Sequence, residues 1–379
     1  MSAAESGIGM KPGASKDWRW FGGAALALTL MVLPALADAK SGEAGFRAVT
    51  SPTALQNGFD VHGDQLVWAH ALGEKADLYL TNLSTGKGRL LTSIPATGPN
   101  ARIQDLSFDG QWVVWADNRF RNLDLFAVDI STGALNRLTD HPADDREASL
   151  DQGRVVWSRE GKLWMVDDVA NPVPVKLPLG PGGAREPALW NDTVVWVRLD
   201  GSERYLMRAG LDGGNATTLW RVSGSFEHEP VALDGMLTWT SQVLVDPQKS
   251  DLGWAGHVVR FLRLPDGSAM NLTLPGQFAA TTLAPSRVAW IEADSNGETS
   301  IKVHELPSGD AFTIPFHAHS LRASDGFLVA MGDAEGGIGT LYSRSWNAGD
   351  ENRGIPFLGM PVILLGGLAL AAVVRREPA

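Results

Sequence analysis

The sequence predicts an all-β fold: a seven-bladed β-propeller with four-stranded blades, followed by a C-terminal transmembrane helix. Three observations support this prediction. A strand ending in Trp recurs at intervals of about forty residues, which is the usual spacing of propeller blades. A short strand near the N-terminus has no partner in its own unit and can complete the last blade. Twenty uncharged residues lie close to the C-terminus, enough to span a bilayer.

The composition excludes several classes of protein. The chain has 379 residues, 44% hydrophobic and 20% charged, as in an ordinary globular protein. Its formal net charge of -11 argues against binding of nucleic acid, because such binding needs a cationic surface that displaces counterions from the phosphates. The absence of cysteine excludes disulfides, cysteine-ligated zinc and thiol catalysis.

Residues 1–39 are predicted to be a secretory signal peptide. Three basic residues, Lys11, Lys16 and Arg19, precede an apolar run over residues 24–36, and small residues typical of a cleavage site follow. This order of basic, apolar and small residues is the pattern of a signal peptide. An uncleaved membrane anchor is the alternative interpretation.

Seven segments of similar sequence mark the seven blades. They are residues 65–68 (QLVW), 112–115 (WVVW), 154–157 (RVVW), 193–196 (TVVW), 236–239 (MLTW), 287–290 (RVAW) and 327–330 (FLVA), the last without its Trp. One short strand precedes each segment and two follow it, and four antiparallel strands make one propeller blade. We expect the recurring Trp to pack blade against blade. Trp112, Trp190 and Trp254 fall outside this register and are expected to be freer to make other contacts.

The propeller is predicted to span residues 46–346 and to close through its N-terminal strand. After the seventh segment, only residues 339–346 supply a further strand before the predicted anchor. Residues 46–50 (FRAVT) are similar to the outermost strands of other blades, such as RLLT and NRLT, so they can provide the missing strand. An open array of blades and a six-bladed ring with an extra hairpin are the alternatives.

The C-terminal region is divided into a linker (347–354), a transmembrane helix (355–374) and a cytoplasmic basic tail (375–379). The span has twenty uncharged residues, which at about 1.5 Å per residue cross the ~30 Å hydrocarbon layer. Arg375 and Arg376 directly after it favour a cytoplasmic C-terminus. The predicted location is therefore the cell membrane, single-pass, with the propeller on the extracytoplasmic side. A buried core helix is the alternative.

Two stretches of the chain resemble known families. The C-terminal tail resembles the sorting signals of archaeal surface proteins, in which the tail is removed and replaced by a lipid. The second repeat resembles the TolB-type propeller repeat, W-x-D-x-R-x-x-N-x-D, which is matched by Trp115, Asp117, Arg119, Asn122 and Asp124. Such repeats occur in periplasmic TolB, in prolyl-oligopeptidase-like enzymes and in archaeal surface proteins. Neither the N-terminal domain of TolB nor the G-x-S-x-G elbow of the oligopeptidases is recognised here, so the resemblance implies a propeller alone.

A polar rim is predicted at the mouth of the central channel. Counting back ten residues from the recurring Trp places a carboxylate at the same point in four consecutive blades: Asp105, Glu147, Glu186 and Glu229. One residue before this point lie Arg146, Arg185, His228 and, in the last blade, His319. Because successive residues of a strand face opposite ways, one set should face the channel mouth and the other the neighbouring loops.

Carboxylates in a ring repel one another unless arginines or a cation neutralise them. We therefore expect these eight residues to bind a ligand, with a divalent cation or a polar glycan as candidates. Salt bridges between blades, or a solvated rim, are the alternative interpretation. No catalytic residue and no metal-ligand motif is assigned, and no cofactor is expected apart from such a cation.

The leading functional interpretation is a non-catalytic binding module for an envelope or surface protein, a peptide or a glycan. The resemblance to propeller repeats and the lack of a recognisable catalytic constellation in the sequence both favour it. The competing class is a glycan-cleaving or other hydrolytic enzyme that uses the rim carboxylates and His228 as acid and base. A structural spacer in a surface coat is a third interpretation.

Overall fold

In a computed structural model, the protein forms a seven-bladed β-propeller. The structure describes residues 43–50, 55–72, 75–95, 103–222, 226–243, 256–264, 269–273, 277–306, 308–334 and 337–346. The predicted signal peptide, linker, transmembrane helix and basic tail lie outside these residues. Within the described ranges, no helix has the length and apolar character needed to cross a membrane.

A short 3₁₀ helix, Glu43–Gly45, precedes the strands. The strands are β1 (Arg47–Ala48), β2 (Leu55–His62), β3 (Gln65–Leu72), β4 (Lys75–Asn82), β5 (Gly88–Pro95), β6 (Ile103–Phe108), β7 (Trp112–Asp117), β8 (Asp124–Asp129), β9 (Leu135–Arg137), β10 (Asp145–Asp151), β11 (Arg154–Arg159), β12 (Lys162–Val166), β13 (Val175–Lys176), β14 (Gly183–Trp190), β15 (Thr193–Asp200), β16 (Glu203–Gly210), β17 (Thr217–Val222), β18 (Phe226–Leu233), β19 (Met236–Val243), β20 (Gly256–Arg263), β21 (Ala269–Asn271), β22 (Gln277–Ala284), β23 (Arg287–Ala293), β24 (Thr299–Glu305), β25 (Ala311–Ile314), β26 (Ser320–Ala323), β27 (Phe327–Ala334) and β28 (Gly337–Ser345). Blade 1 contains β2 to β5, and each later blade takes the next four strands in order until blade 7.

Blade 7 is closed by the N-terminal strand, as the sequence predicts. Its sheet has the order β1-β28-β27-β26, with Arg47 facing Ser343 in antiparallel register. The strand itself is shorter than the predicted residues 46–50, but the pairing continues beyond it, because Leu341 N donates to Thr50 Oγ1 at 3.0 Å. The open array and the six-bladed ring are therefore excluded.

The recurring tryptophans pack between blades, as predicted. Trp68, Trp115, Trp157, Trp196, Trp239 and Trp290 are each 0–5% exposed. Trp115 shares a hydrophobic cluster with Val67 of blade 1, and Trp157 shares one with Val114 of blade 2. Trp112 is also buried in that second cluster, at 8% exposure, so the expectation that it is freer to make other contacts is wrong. Trp254 lies outside the described residues.

The motif that resembles the TolB repeat builds one corner of blade 2. Trp115 Nε1 donates to Asp117 Oδ2 at 2.8 Å, and Arg119 Nε donates to Asp117 Oδ1 at 2.9 Å. Asp124 is fully buried and accepts a bond from Arg137 Nη2 at 2.7 Å. Because a buried carboxylate must be paired to be tolerated, these residues have a structural role that explains their pattern.

Candidate functional site

The predicted rim residues lie towards one face of the propeller, here called the upper face. In blade 2, Ile103 at the start of β6 faces Asp117 at the end of β7. Asp117 also faces Asp124 at the start of β8. The upper face is therefore the side where the first strand of each blade begins and where the second strand turns into the third.

The predicted carboxylates occupy a repeated β-bulge in the innermost strands. The register of the first two strands shifts between Gln104 and Ser107, between Arg146 and Ser149, and between Arg185 and Ala188. Inside these bulges, Asp105, Glu147 and Glu186 have φ angles of 54°, 58° and 52°. A positive φ is uncommon for residues with a side chain, and a bulge redirects the side chain that it carries. The position obtained by counting back from Trp is thus a true structural repeat.

These carboxylates link successive blades through backbone hydrogen bonds. Glu147 N donates to Asp105 Oδ2 at 2.6 Å, and Glu186 N donates to Glu147 Oε2 at 2.9 Å. The other oxygen of Glu147, Oε1, lies 3.6 Å from Arg185 Nε. Blades 2, 3 and 4 are therefore joined at the channel mouth by linked bulge carboxylates, and the Arg185–Glu147 pair is a salt bridge between blades 4 and 3.

Among the described side chains, Glu186 of blade 4 is the last of these linked carboxylates. Its Oε2 atom is buried and has no hydrogen-bond partner in the described part of the protein. Burial raises the pKa of this carboxyl, and the nearby Glu147 raises the pKa further, while Arg185 and Arg204 oppose the shift. Burial likewise raises the pKa of Asp105. The charge of Glu186 is thus only partly compensated by its surroundings.

The other four predicted residues are placed differently. Arg146 pairs with Asp144, near the start of the same strand, and its side chain is 46% exposed. His319 is exposed, and its ring centroid lies 6.3 Å from that of His317. His228 and Glu229 lie in β18, but their side chains are outside what the structure describes. The structure therefore brings together Asp105, Glu147, Arg185 and Glu186, and the ligand predicted for the eight residues stays a prediction.

Two further rows of inter-blade hydrogen bonds lie below the bulges, and the sequence patterns described above did not identify them. In the first row, two residues after the bulge position, Asp60, Ser107 and Ser149 accept bonds from the N–H groups of Phe108, Leu150 and Leu189 at 2.8, 3.3 and 2.9 Å. In the second row, four residues after it, Asp109 and Asp151 accept from Gly153 N and Asn191 N at 2.7 and 2.6 Å. Their constant offset from the bulge was the signal that could have found them.

Asp60 extends these rows to the closing blade. Its Oδ1 atom lies 3.9 Å from Arg322 Nε of blade 7. Burial raises the pKa of the Asp60 carboxyl, while Arg322 and the N–H groups of Phe108 and Val61 oppose the rise. Asp60 therefore connects blade 1 to both of its neighbours.

In the described ranges, no three His, Asp or Glu side chains form a group that could hold a metal ion. Carboxylate oxygens of the bulges are chemically suitable for a hard divalent cation, but Glu147 is already engaged by Arg185 and by a backbone N–H. The divalent cation at the rim therefore stays a prediction.

Comparisons with known proteins support the fold. No family model matches the chain, and no curated protein matches it either. Among solved structures, an oligogalacturonate lyase in complex with manganese superposes with a TM-score of 0.59 and 14% identity, covering 79% of this chain and 92% of that one. The β-propeller domain of the Trilobed protease from Pyrococcus furiosus gives 0.56 and 10% identity, covering 76% and 92%. TolB from Acinetobacter baumannii gives 0.43 and 17% identity, covering 60% and 56%. The first two similarities establish the propeller fold alone, because one fold serves many functions.

Proposed function

We propose that this protein is a membrane-anchored, extracytoplasmic β-propeller that binds a protein, peptide or glycan without catalysis. One observation carries the proposal: both oxygens of Glu147 at the channel mouth are engaged, one by Glu186 N and one by Arg185. A general acid or base must be able to reach the proton that it transfers. A carboxylate that holds neighbouring blades together is poorly suited to that task.

The upper face carries exposed groups of the kind that proteins use for recognition. The side chains of Arg146 and Arg185 are 46% and 52% exposed. Phe120, in the turn between β7 and β8, is 51% exposed, and Arg121 beside it is exposed as well. Arginine and aromatic residues are enriched in protein interfaces. These features support the upper face as the binding surface.

The proposed location follows from the two ends of the chain. The predicted signal peptide (1–39) would export the propeller, and the predicted span (355–374) with Arg375 and Arg376 would hold it at the membrane. The predicted linker has only eight residues (347–354), so the propeller would remain close to the bilayer.

The proposal is tested by cross-linked affinity capture from intact envelopes with the full chain. We expect a partner or polysaccharide to co-purify with the wild-type protein, and Arg146→Ala to reduce its recovery about ten-fold, which corresponds to ~1.4 kcal/mol, since arginine is enriched among the residues that dominate binding energy. Lys87→Ala is the matched control, because Lys87 is exposed in the turn between β4 and β5 on the opposite face. Equal recovery with all three proteins, or no recovery at all, would contradict the proposal.

A hydrolytic function is the second candidate, favoured by the raised pKa of Glu186. A raised pKa moves a carboxyl closer to the range in which it can act as a general acid. The structural similarity to an oligogalacturonate lyase makes acidic polysaccharides a reasonable first substrate class. New reducing ends in the presence of wild-type protein, absent with Glu186→Gln, would establish this function and overturn the binding proposal.

A divalent cation at the rim is tested separately by isothermal titration with Ca²⁺ and Mn²⁺. If Glu186 is a ligand, we expect saturable binding to the wild-type protein that Glu186→Ala abolishes, since carboxylates supply most ligands of hard cations. Absence of heat, or identical heat for the variant, would remove the cation from the proposal.

A further inference from the structure

A cavity of about 190 Å³ lies on the upper face between blades 3 and 4. Residues 177–182, which connect β13 to β14, form one wall together with the first two residues of β14, and Leu163 and Trp196 contribute buried apolar surface. Three cationic residues complete the lining: Lys162, Lys176 and Arg198. None of the rim carboxylates belongs to this lining.

The shape of the cavity depends on glycine. Gly182 has a φ of +99°, and a Cβ atom there would lie 3.2 Å from both Arg198 Cγ and Leu199 O. Only glycine adopts this backbone conformation readily, so it allows the connecting segment to lie directly on β15. Lys162 Nζ donates to Gly182 O at 2.7 Å, which fixes one of the three cations at the cavity wall.

The charge of the cavity differs from that of the whole chain. The protein has a net charge of -11, yet the cavity lining contains three cations and no acidic residue. Arg198 Nε is buried and has no hydrogen-bond partner in the described part of the protein, while the guanidinium lies 4.6 Å from the centroid of the Tyr205 ring. A buried donor without an acceptor destabilises the protein, and an anionic oxygen would be its strongest partner.

The remaining lining residues indicate which anion fits. Apart from the three cations, the lining is glycine, proline, alanine, leucine and tryptophan, with no hydroxyl, amide or carboxylate side chain. A carboxylate accepts hydrogen bonds and donates none, which matches such a lining, whereas sugar hydroxyls also need acceptors. The apolar part of the lining includes Pro178, Leu179 and the buried side chains of Leu163 and Trp196. These features favour a carboxylate carried on an aliphatic body.

The volume limits the size of the bound group. A water molecule occupies about 30 Å³ in the liquid, so the cavity of about 190 Å³ has room for one group of side-chain size. Drug-sized ligands need roughly 300–1,000 Å³. The cavity can therefore hold one end of a larger partner.

We propose that this cavity binds a carboxylate of a partner peptide, either its chain end or an acidic side chain, next to an aliphatic residue that contacts Pro178 and Leu179 of the lining. This inference rests on the proposed binding function and names the chemistry of the partner. The cations Lys162, Lys176 and Arg198, which line the cavity, pair with the carboxylate.

The experiment uses small probes and the full chain in detergent. The probes are N-acetyl-leucine for a chain end, N-acetyl-glutamate α-amide for an acidic side chain, and N-acetyl-leucinamide as the neutral control, followed by the backbone NMR signals of Gly182 and Gly183. We expect saturable shifts with at least one acid and binding about ten-fold weaker with the neutral amide, because charge-assisted bonds are lost. The tighter acid identifies the source of the carboxylate.

The variants Lys176→Gln and Arg198→Gln test the role of the cations. Lys176 is exposed, so we expect Lys176→Gln to remain folded and to weaken binding about three-fold or more, as loss of one charge-assisted bond does. Lys87→Gln, which removes an equally exposed lysine far from the lining, should bind as wild type does. Arg198→Gln should weaken binding further, and its melting temperature reports whether the loss reflects unfolding.

Three results would overturn the inference: equal binding of acid and amide, unchanged binding by Lys176→Gln, or tighter binding of D-glucuronate than of either acid. The last would identify an acidic-sugar site. The experiments distinguish failure of the cavity proposal from failure of the proposed binding function. If Arg146→Ala abolishes capture from envelopes and the probes do not bind, the binding function stands without this cavity. If the probes bind and nothing is captured, the cavity stands and the binding function fails.

Discussion

The inner strands of blades 1 to 4 and those of blades 5 and 6 are joined to their neighbours in different ways. In the first group, carboxylates and hydroxyls at the bulge and below it accept backbone N–H groups of the next blade, as Asp105 and Ser149 do. In the second group, apolar residues stand at several of the matching positions, as Leu233, Ala280 and Ala284 do, and pack into the hydrophobic clusters, while the side chain of Glu229 at the bulge of blade 5 lies outside the described residues. Among the described side chains, the same backbone plan therefore carries hydrogen bonds between some blades and apolar contacts between others.

The buried tryptophans between the blades also differ in their hydrogen bonds. In blades 2 and 3, Trp115 and Trp157 donate their indole N–H groups to buried aspartates, at 2.8 and 2.6 Å. In blades 5 and 6, the indole nitrogens of Trp239 and Trp290 are buried without a hydrogen-bond partner among the described residues. An unsatisfied buried donor destabilises a protein by about 1–3 kcal/mol. We infer that blades 2 and 3 are the more rigid part of the ring.

The largest loss of stability is expected when a buried carboxylate that accepts hydrogen bonds from Trp and Arg side chains is removed from blades 2 and 3. Asp145 is fully buried and accepts bonds from Trp157 Nε1 at 2.6 Å and from Arg159 Nε at 2.6 Å. Asp145→Ala would leave the buried Arg159 charge unpaired and should lower the free energy of unfolding by about 3–5 kcal/mol. Urea denaturation measures this change.

The control for that experiment is Asp192→Ala. Asp192 pairs with Arg154, but its side chain is 90% exposed, and exposed ion pairs contribute little. If both variants lose the same stability, buried carboxylates do not make the hydrogen-bonded blades more rigid.

A smaller loss is expected from breaking the link at the channel mouth. Glu147→Ala removes the acceptor of Glu186 N and the partner of Arg185, and should lower the free energy of unfolding by about 1–3 kcal/mol. Glu203→Ala, which removes an exposed partner of Arg221, should change stability little by the same urea measurement. Unchanged stability of Glu147→Ala would mean that packing alone holds these blades together.

Glu186→Gln should act in the opposite direction to Glu147→Ala. The pKa of Glu186 is raised above 4.5 by burial and by Glu147, so the folded protein binds this proton more tightly than the unfolded chain does. The resulting stabilisation is present at low pH and is lost as the pH rises through the folded pKa. We therefore expect Glu186→Gln to be more stable than wild type at pH 7, with the difference shrinking as the pH falls towards 4. Thermal melts across this range measure it, and a variant less stable than wild type at pH 7 would show that the ionised carboxylate is fully compensated.

The sequence predicts the fold better than the contacts of the site. The number of blades follows from the spacing of the tryptophans, because each large indole side chain must be buried between blades. The closing strand follows from residues 46–50, because an isolated strand needs a partner. The bulge position follows from a fixed hairpin length. The contacts between the rim side chains do not follow from the sequence. Strand alternation alone would make Glu147 and Arg185 face opposite ways, but the β-bulge redirects the Glu147 carboxylate so that the two residues pair. The cavity was also missed, since it depends on the backbone conformation of Gly182.

The smallest expected change in stability comes from a substitution at the β-bulge of blade 6. Ala280 occupies the bulge position of blade 6 with a φ of 26°, where a side chain brings strain that glycine avoids. No carboxylate link is gained there in return, so Ala280→Gly should raise the free energy of unfolding by a few tenths to about 1 kcal/mol. Ala311→Gly, at an exposed strand position of the same blade, should instead lower it by about 0.5 kcal/mol through backbone entropy. If Ala280→Gly also lowers stability, the bulge backbone is not strained. The carboxylates of blades 2 to 4 would then be selected for something other than the stability they confer, such as the ligand predicted at the rim.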